Sequence, residues 1–170
     1  MGCDIIDLQE SRRKGQSTFL QTGCVVYCSG EFGGDGEGKK GQGGVGLAVR
    51  KSISCAEARP PEFISDKLLK VTLELRGRAR VVTFVVGYGP TNTQSVGEKH
   101  AFWTALERVV KRGLGHEQLF VGGRKLGSEE CKALGAYGRD TLNDNNGERL
   151  LSFSANHGLA LLYTFFIPPR

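Results

Sequence analysis

The run Val81-Val-Thr-Phe-Val-Val86 constrains this chain more than any other stretch. Every residue in it is β-branched or aromatic, it is too short for a core helix, and Gly87 ends it. It reads as a strand buried on both faces. It runs into Gly87-Tyr88-Gly89-Pro90, where the glycines free the backbone. Pro90 biases Gly89 away from helix and cannot donate to a ladder. Tyr88 therefore stands at the mouth of a sheet. A loop held there by a core strand suits chemistry. It equally suits a tyrosine that closes a core edge with its hydroxyl in water. Residue physics alone favours the second role.

A partner for this strand lies just upstream. Leu69, Val71, Leu73 and Leu75 alternate with Lys70, Thr72 and Glu74, the pattern of a half-buried strand. Arg76-Gly77-Arg78 is a tight connection between the two, so they form a hairpin. Further strands are expected at Asp4–Leu8, Cys24–Cys28, Gly44–Val49, Gln118–Val121 and Leu159–Phe166. Gln16–Gln21 reads as a short helix or turn stopped by Gly23, and Pro60-Pro61 as punctuation of a loop. Ser95-Val-Gly-Glu98 has the form of a capping box. After it Phe102, Trp103, Leu106, Val109 and Val110 recur at helical spacing, up to Gly113 or Gly115. Trp103 reads as core on that face, and His100 and His116 as surface residues flanking the helix. A second helix is expected from Glu148 to Asn156, capped by Asn143–Gly147 and stopped by Gly158. Strand pairs mixed with helix–strand units imply a mixed α/β sheet packed by helices in one domain of residues 1–170.

Composition narrows the function classes. The net charge is +5, a mild basic bias that favours a polyanionic partner without specifying one. The Gly-rich segment Ser29–Gly43 reads as a mobile surface loop; it lacks the Gly-Lys-Ser/Thr ending of a phosphate loop and leads into a strand, which disfavours nucleotide binding. Five cysteines at scattered spacing argue against a disulfide framework and against zinc. They point to a reducing, intracellular location, nuclear or cytoplasmic. No stretch reaches the ~20 apolar residues of a membrane span, and the amino terminus reads as neither signal peptide nor acylation site. No membrane partner is expected, and no small-molecule cofactor.

Carboxylates at strand ends are where α/β folds place reactive groups. Glu10 occupies such a position, followed by Arg12, Arg13 and Lys14. The bland alternative pairs Glu10 with one of those cations on a solvated turn. Arg12, Arg13, Lys39, Lys40, Arg50 and Lys51 are the candidate contacts for a nucleic-acid backbone.

Three blocks in order resemble one family: Asp4-Ile-Ile-Asp-Leu-Gln-Glu10, Val85-Val-Gly-Tyr-Gly-Pro90 and Asn145-Asn-Gly-Glu-Arg-Leu-Leu-Ser-Phe153. They resemble the endonuclease/exonuclease/phosphatase superfamily. The wording of Gly41–Arg50 and of Asn146–Leu162 is similar to the endonuclease domain of LINE-type retroelements. The resemblance covers nearly the whole chain, and its strength lies in the ordered set. It implies a four-layer α/β sandwich that hydrolyses DNA phosphodiesters with Mg²⁺ or Mn²⁺. By position, Glu10 would hold the metal. Tyr88 would contact the scissile phosphate or stabilise its developing charge, the catalytic role among these residues.

The chain also departs from that family. The family's first strand, with its Asn, has no counterpart here. Its central Asp-x-Asn is missing where Val121 runs into Gly122-Gly123. Its closing Ser-Asp-His is absent. Asp144 and Asn146 spell Asp-x-Asn but belong to a helix start, and His157 follows a helix, suited to a capping or surface role. The expectation is an incomplete, degenerate endonuclease without activity. The alternatives are a non-catalytic nucleic-acid-binding remnant or a non-functional translated fragment.

Overall fold

A computed structural model describes residues 4–30, 43–75, 81–91, 93–113, 118–122 and 145–159. The expected segments 31–42, 76–80, 114–117, 123–144 and 160–170 lie outside the described residues. So do Arg76-Gly77-Arg78, His116, Asp144 and most of the expected last strand. The chain falls into two compact units. One comprises Met1–Tyr88 with Thr104–Gly123, and the other Gly89–Trp103 with Arg124–Arg170.

The first unit is built on two sheets. Sheet A joins β1 (Ile5–Gln9), β2 (Gln16–Gln21), β3 (Cys24–Ser29) and β4 (Val45–Arg50), all antiparallel, in the order β1-β4-β3-β2. Sheet B joins β5 (Ser54–Ser65), β6 (Leu68–Leu75) and β7 (Val81–Gly87) antiparallel, with β8 (Gln118–Gly122) added parallel to β7. The inner faces share one core. Tyr27, Val45, Leu47 and Val49 of sheet A pack with Leu69, Val71, Leu73, Val82, Phe84 and Val86 of sheet B. The β6–β7 pairing matches the expected hairpin partners, Leu69 opposite Val86 and Leu73 opposite Val82.

Three expectations are corrected in this unit. Gln16–Gln21 is a strand, not a helix or turn. Thr22 and Gly23 both take positive φ, 49° and 75°, and make the two-residue turn of a β2–β3 hairpin. Gly23 thus turns the chain inside a sheet instead of ending a helix. Pro60 and Pro61 lie within β5, not in a loop. They are tolerated because β5 is an edge strand and they fall in the irregular register between Arg59↔Thr72 and Glu62↔Lys70. Finally, β6 is not half-buried. Lys70 and Thr72 on its outer face are 5% and 2% exposed. They are buried with partners: Lys70 Nζ meets Glu62 Oε1 at 2.9 Å, and the Thr72 and Thr83 hydroxyls meet at 3.1 Å.

Polar ties join the sheets as well. Ser29 Oγ donates to the Ser65 carbonyl at 2.6 Å, and Gln16 Nε2 to the Phe63 carbonyl at 3.2 Å. The Tyr27 phenol lies buried beside the Glu57 carboxylate. Burial and that carboxylate hold the Tyr27 phenol well above its usual pKa.

Helix α1 (Val96–Gly113) contributes to both units. Its start is the expected capping box: Glu98 N–H donates to Ser95 Oγ at 3.2 Å, and Ser95 N–H to Glu98 Oε2 at 2.9 Å. Leu106, Val109 and Val110 are buried. His100 is exposed, as expected. In the second unit Trp103 packs at 5.9 Å, centroid to centroid, on Phe153 of α2 (Asn145–Asn156). Helix α2 begins at Asn145, so Asn145 and Gly147 lie in its first turn rather than before it. It ends in a Schellman motif: Leu159 N–H reaches the Ser154 carbonyl and Gly158 N–H the Ala155 carbonyl, with Gly158 at φ 62°. His157 lies in that cap, against the Phe153 ring.

Candidate functional site

Strand β1 pairs with β4 up to Gln9↔Val45, and the chain then turns sharply. Glu10 and Arg12 take φ of 52° and 51°, a left-handed conformation uncommon for residues with side chains. Two backbone bonds impose it. Ser11 N–H donates to the Gly44 carbonyl at 3.0 Å and Arg12 N–H to the Gly43 carbonyl at 2.8 Å. The Gly-Gly pair ahead of β4 thus fixes the turn that carries Glu10. Ser11 Oγ is buried in this turn without a hydrogen-bond partner.

Tyr88 arrives from the other sheet. It follows β7 by one residue, and its N–H donates to the Lys67 carbonyl at 2.9 Å. Its parity with Val82, Phe84 and Val86 aims the ring inward, where it packs half-buried against the shared core. Its hydroxyl donates to Glu10 Oε1 at 2.9 Å, across 78 positions of sequence. The other carboxylate oxygen, Oε2, lies 3.9 Å from Arg12 Nη2. The two readings of Glu10 therefore meet in one residue: it faces a cation on its own turn and also binds Tyr88.

Charge-assisted bonds such as Tyr88–Glu10 are roughly twice as strong as neutral ones. The Arg12 pair is exposed on both sides, 64% and 52% by side chain. It contributes at most about 1 kcal/mol. A phenol has one proton to donate, and here it points at Glu10. For Tyr88 to donate to a phosphate it must first release that carboxylate.

Asp7 is a neighbour that the sequence did not single out. It shares the inner side of β1 with Ile5, opposite buried Leu47. Much of the side chain is exposed, but the adjoining apolar surface raises its carboxyl pKa, and a hydrogen bond from Gln9 opposes the rise.

The described candidate cationic contacts do not form one patch. Arg12 and Arg13 lie on the Glu10 turn, with the Arg13 guanidinium 4.0 Å from the Phe19 ring centroid. Arg50 and Lys51 lie at the far end of β4, about 17 Å along the strand. There Arg50 pairs with Asp4 at 3.0 Å and Lys51 N–H donates to the Gly23 carbonyl at 2.9 Å. Lys39 and Lys40 lie outside the described residues.

The donor set also bears on the metal. Glu10 supplies one carboxylate. Among the described residues no three His, Cys, Asp or Glu side chains gather as a metal site. One half-exposed carboxylate, engaged by a phenol and facing a guanidinium, does not compose a Mg²⁺ or Mn²⁺ site. A hard divalent cation wants several oxygens around it. No protein-family model matches the chain, and no curated protein matches it significantly.

Proposed function

We propose that this chain is a degenerate DNA endonuclease domain of retroelement origin, of the endonuclease/exonuclease/phosphatase type, without hydrolytic activity as it stands. The observation that supports the relationship is the Tyr88–Glu10 bond. The resemblance pairs these two residues at one site, and their strands bring them together from different sheets. The two sheets packed face to face agree with the inner layers of a four-layer α/β sandwich, which we take to be the full architecture.

Inactivity follows from what accompanies the pair. At Val121 the chain passes into Gly122-Gly123 where the family carries its Asp-x-Asn. The sequence thus puts no carboxylate at that strand end to position or activate a water. Groups that act as a unit in hydrolysis lose most of the rate when one is removed. Metal-assisted chemistry would polarise the phosphoryl group and stabilise the leaving oxygen, yet the described residues around Glu10 do not by themselves hold such an ion.

A second reading, nucleic-acid binding without catalysis, is favoured by one observation: Arg12, Arg13 and Lys14 are all exposed on the turn beside Tyr88. A plasmid-nicking assay with Mg²⁺, run on the chain and on Glu10→Gln, tests the first reading. No nicking by either is expected, and metal-dependent nicking lost in the variant would refute inactivity. Duplex affinity that falls steeply with salt identifies the binder. Neither affinity nor cooperative melting identifies a non-functional fragment.

A further inference from the structure

We infer that Arg12 is the resident counter-cation of Glu10, so that the carboxylate works as a latch between the two sheets and excludes a divalent metal. The inference rests on the relationship proposed above, in which an ancestral metal belongs at this position. It concerns what this chain now does with that position.

The two carboxylate oxygens have separate partners. Oε1 accepts the Tyr88 hydroxyl at 2.9 Å, and Oε2 faces Arg12 Nη2 at 3.9 Å. This is not a chance meeting of long side chains on a free loop. Glu10 and Arg12 both sit in the left-handed region, with the intervening Ser11 Oγ buried. Such backbone persists only where its surroundings impose it, and the bonds to Gly43 and Gly44 do so. The same turn that presents Glu10 therefore presents a guanidinium beside it.

The local charge acts in the same direction. From Glu10 to Lys14 the turn holds one carboxylate and three cations, Arg12, Arg13 and Lys14. A divalent ion approaching Oε2 meets the Arg12 guanidinium, 3.9 Å from that oxygen. Ordinary solvent screens that repulsion but does not remove it at this range. The Tyr88 bond completes the arrangement, because inner-sphere binding at Oε1 would compete with a charge-assisted donor.

The test uses the full chain, with Mn²⁺ as probe and water-proton relaxation as the readout. Circular dichroism checks that each variant folds. Wild type and Glu10→Gln are expected to give the same Mn²⁺ titration. Arg12→Ala is expected to gain about tenfold in Mn²⁺ affinity, and adding Glu10→Gln to it should abolish the gain. If Arg12→Ala does not fold, Arg12→Gln serves the same comparison. Wild-type Mn²⁺ binding that Glu10→Gln removes would overturn the inference, as would a folded Arg12 variant with no gain. Mn²⁺ binding that needs Glu10, without nicking, would overturn this inference and leave the proposed relationship intact. Nicking that needs Glu10 would overturn the inactivity itself.

Discussion

Lys70 offers the sharpest quantitative test of how sheet B is held. It sits opposite Glu62 in the β5–β6 register and is 5% exposed, with Nζ 2.9 Å from Glu62 Oε1. The Glu62 side chain is half exposed, at 50%. The two partners therefore stand differently. Removing the charge of Glu62 strands an ammonium in the interior, whereas removing Lys70 leaves a carboxylate that water can serve. Stranding one member of a fully buried pair costs about 3–5 kcal/mol. With one partner half in water, about 1–3 kcal/mol is expected for Glu62→Gln. Lys70→Met keeps the length of the chain and removes the desolvated charge, so it should be neutral or stabilising. Lys70→Met with Glu62→Gln should then recover wild-type stability, although Glu62→Gln alone does not. Urea unfolding followed by far-UV circular dichroism measures all four proteins. The reasoning fails if the double variant is as unstable as the sum of the singles. That outcome would mean that Glu62 matters because it pins β5, an edge strand with four register shifts and two prolines.

Two further predictions concern sheet A. Burial raises the Asp7 pKa above its ordinary 3.8. Its contribution to stability is therefore complete below that value and lost as pH rises through the raised one. Asp7→Asn should raise the urea midpoint at pH 7, and the gain should shrink as pH approaches 3.8. A Cβ at Gly46 would lie 2.8 Å from the Tyr27 carbonyl oxygen and 3.3 Å from Cys28 Sγ and Leu8 Cδ1. Gly→Ala can stabilise by about 0.4–1 kcal/mol through the unfolded chain, but this overpacking costs about 1–3 kcal/mol. Gly46→Ala should lower the urea midpoint, and an unchanged or raised midpoint would show that β4 yields locally.

Some of the fold was legible because local pattern and burial agree. Val81–Val86 reads as a buried strand and is one; Ser95 and Glu98 read as a capping box and bond as one. Elsewhere the decisive information is not local. Lys70 and Thr72 look like a solvent face until their partners are known, and Glu62 and Thr83 are eight and eleven positions away. Gln16–Gln21 has only Phe19 and Leu20 as large apolar residues, so neither period stands out. Its strand is made by pairing with β3, and the signal that was available is the Thr22-Gly23 turn between them. The Pro60-Pro61 pair misleads for the opposite reason: a strong local breaker is harmless where the strand is an edge. Glu10 and Tyr88 were each visible as residues at strand ends. Their contact depends on two sheets closing over one core, and the role of Gly43 and Gly44 beneath them was hidden at the junction of an expected loop and an expected strand.

That contact also bears on how the pair should be interpreted. A tyrosine that follows an inward-facing row of core residues gains from packing its ring, whatever its hydroxyl does. A carboxylate at the neighbouring sheet end can satisfy that hydroxyl, and the bond ties the two sheets together. The arrangement is useful to the fold without any phosphate or metal. The contact between Glu10 and Tyr88 is therefore accounted for by packing and hydrogen bonding, and does not by itself argue for chemistry. Chemistry would require Glu10 to exchange Arg12 for a divalent ion and Tyr88 to turn its proton to substrate. Mn²⁺ relaxation on wild type and the Arg12 variant measures the first of these exchanges directly, independent of whether any DNA is cut.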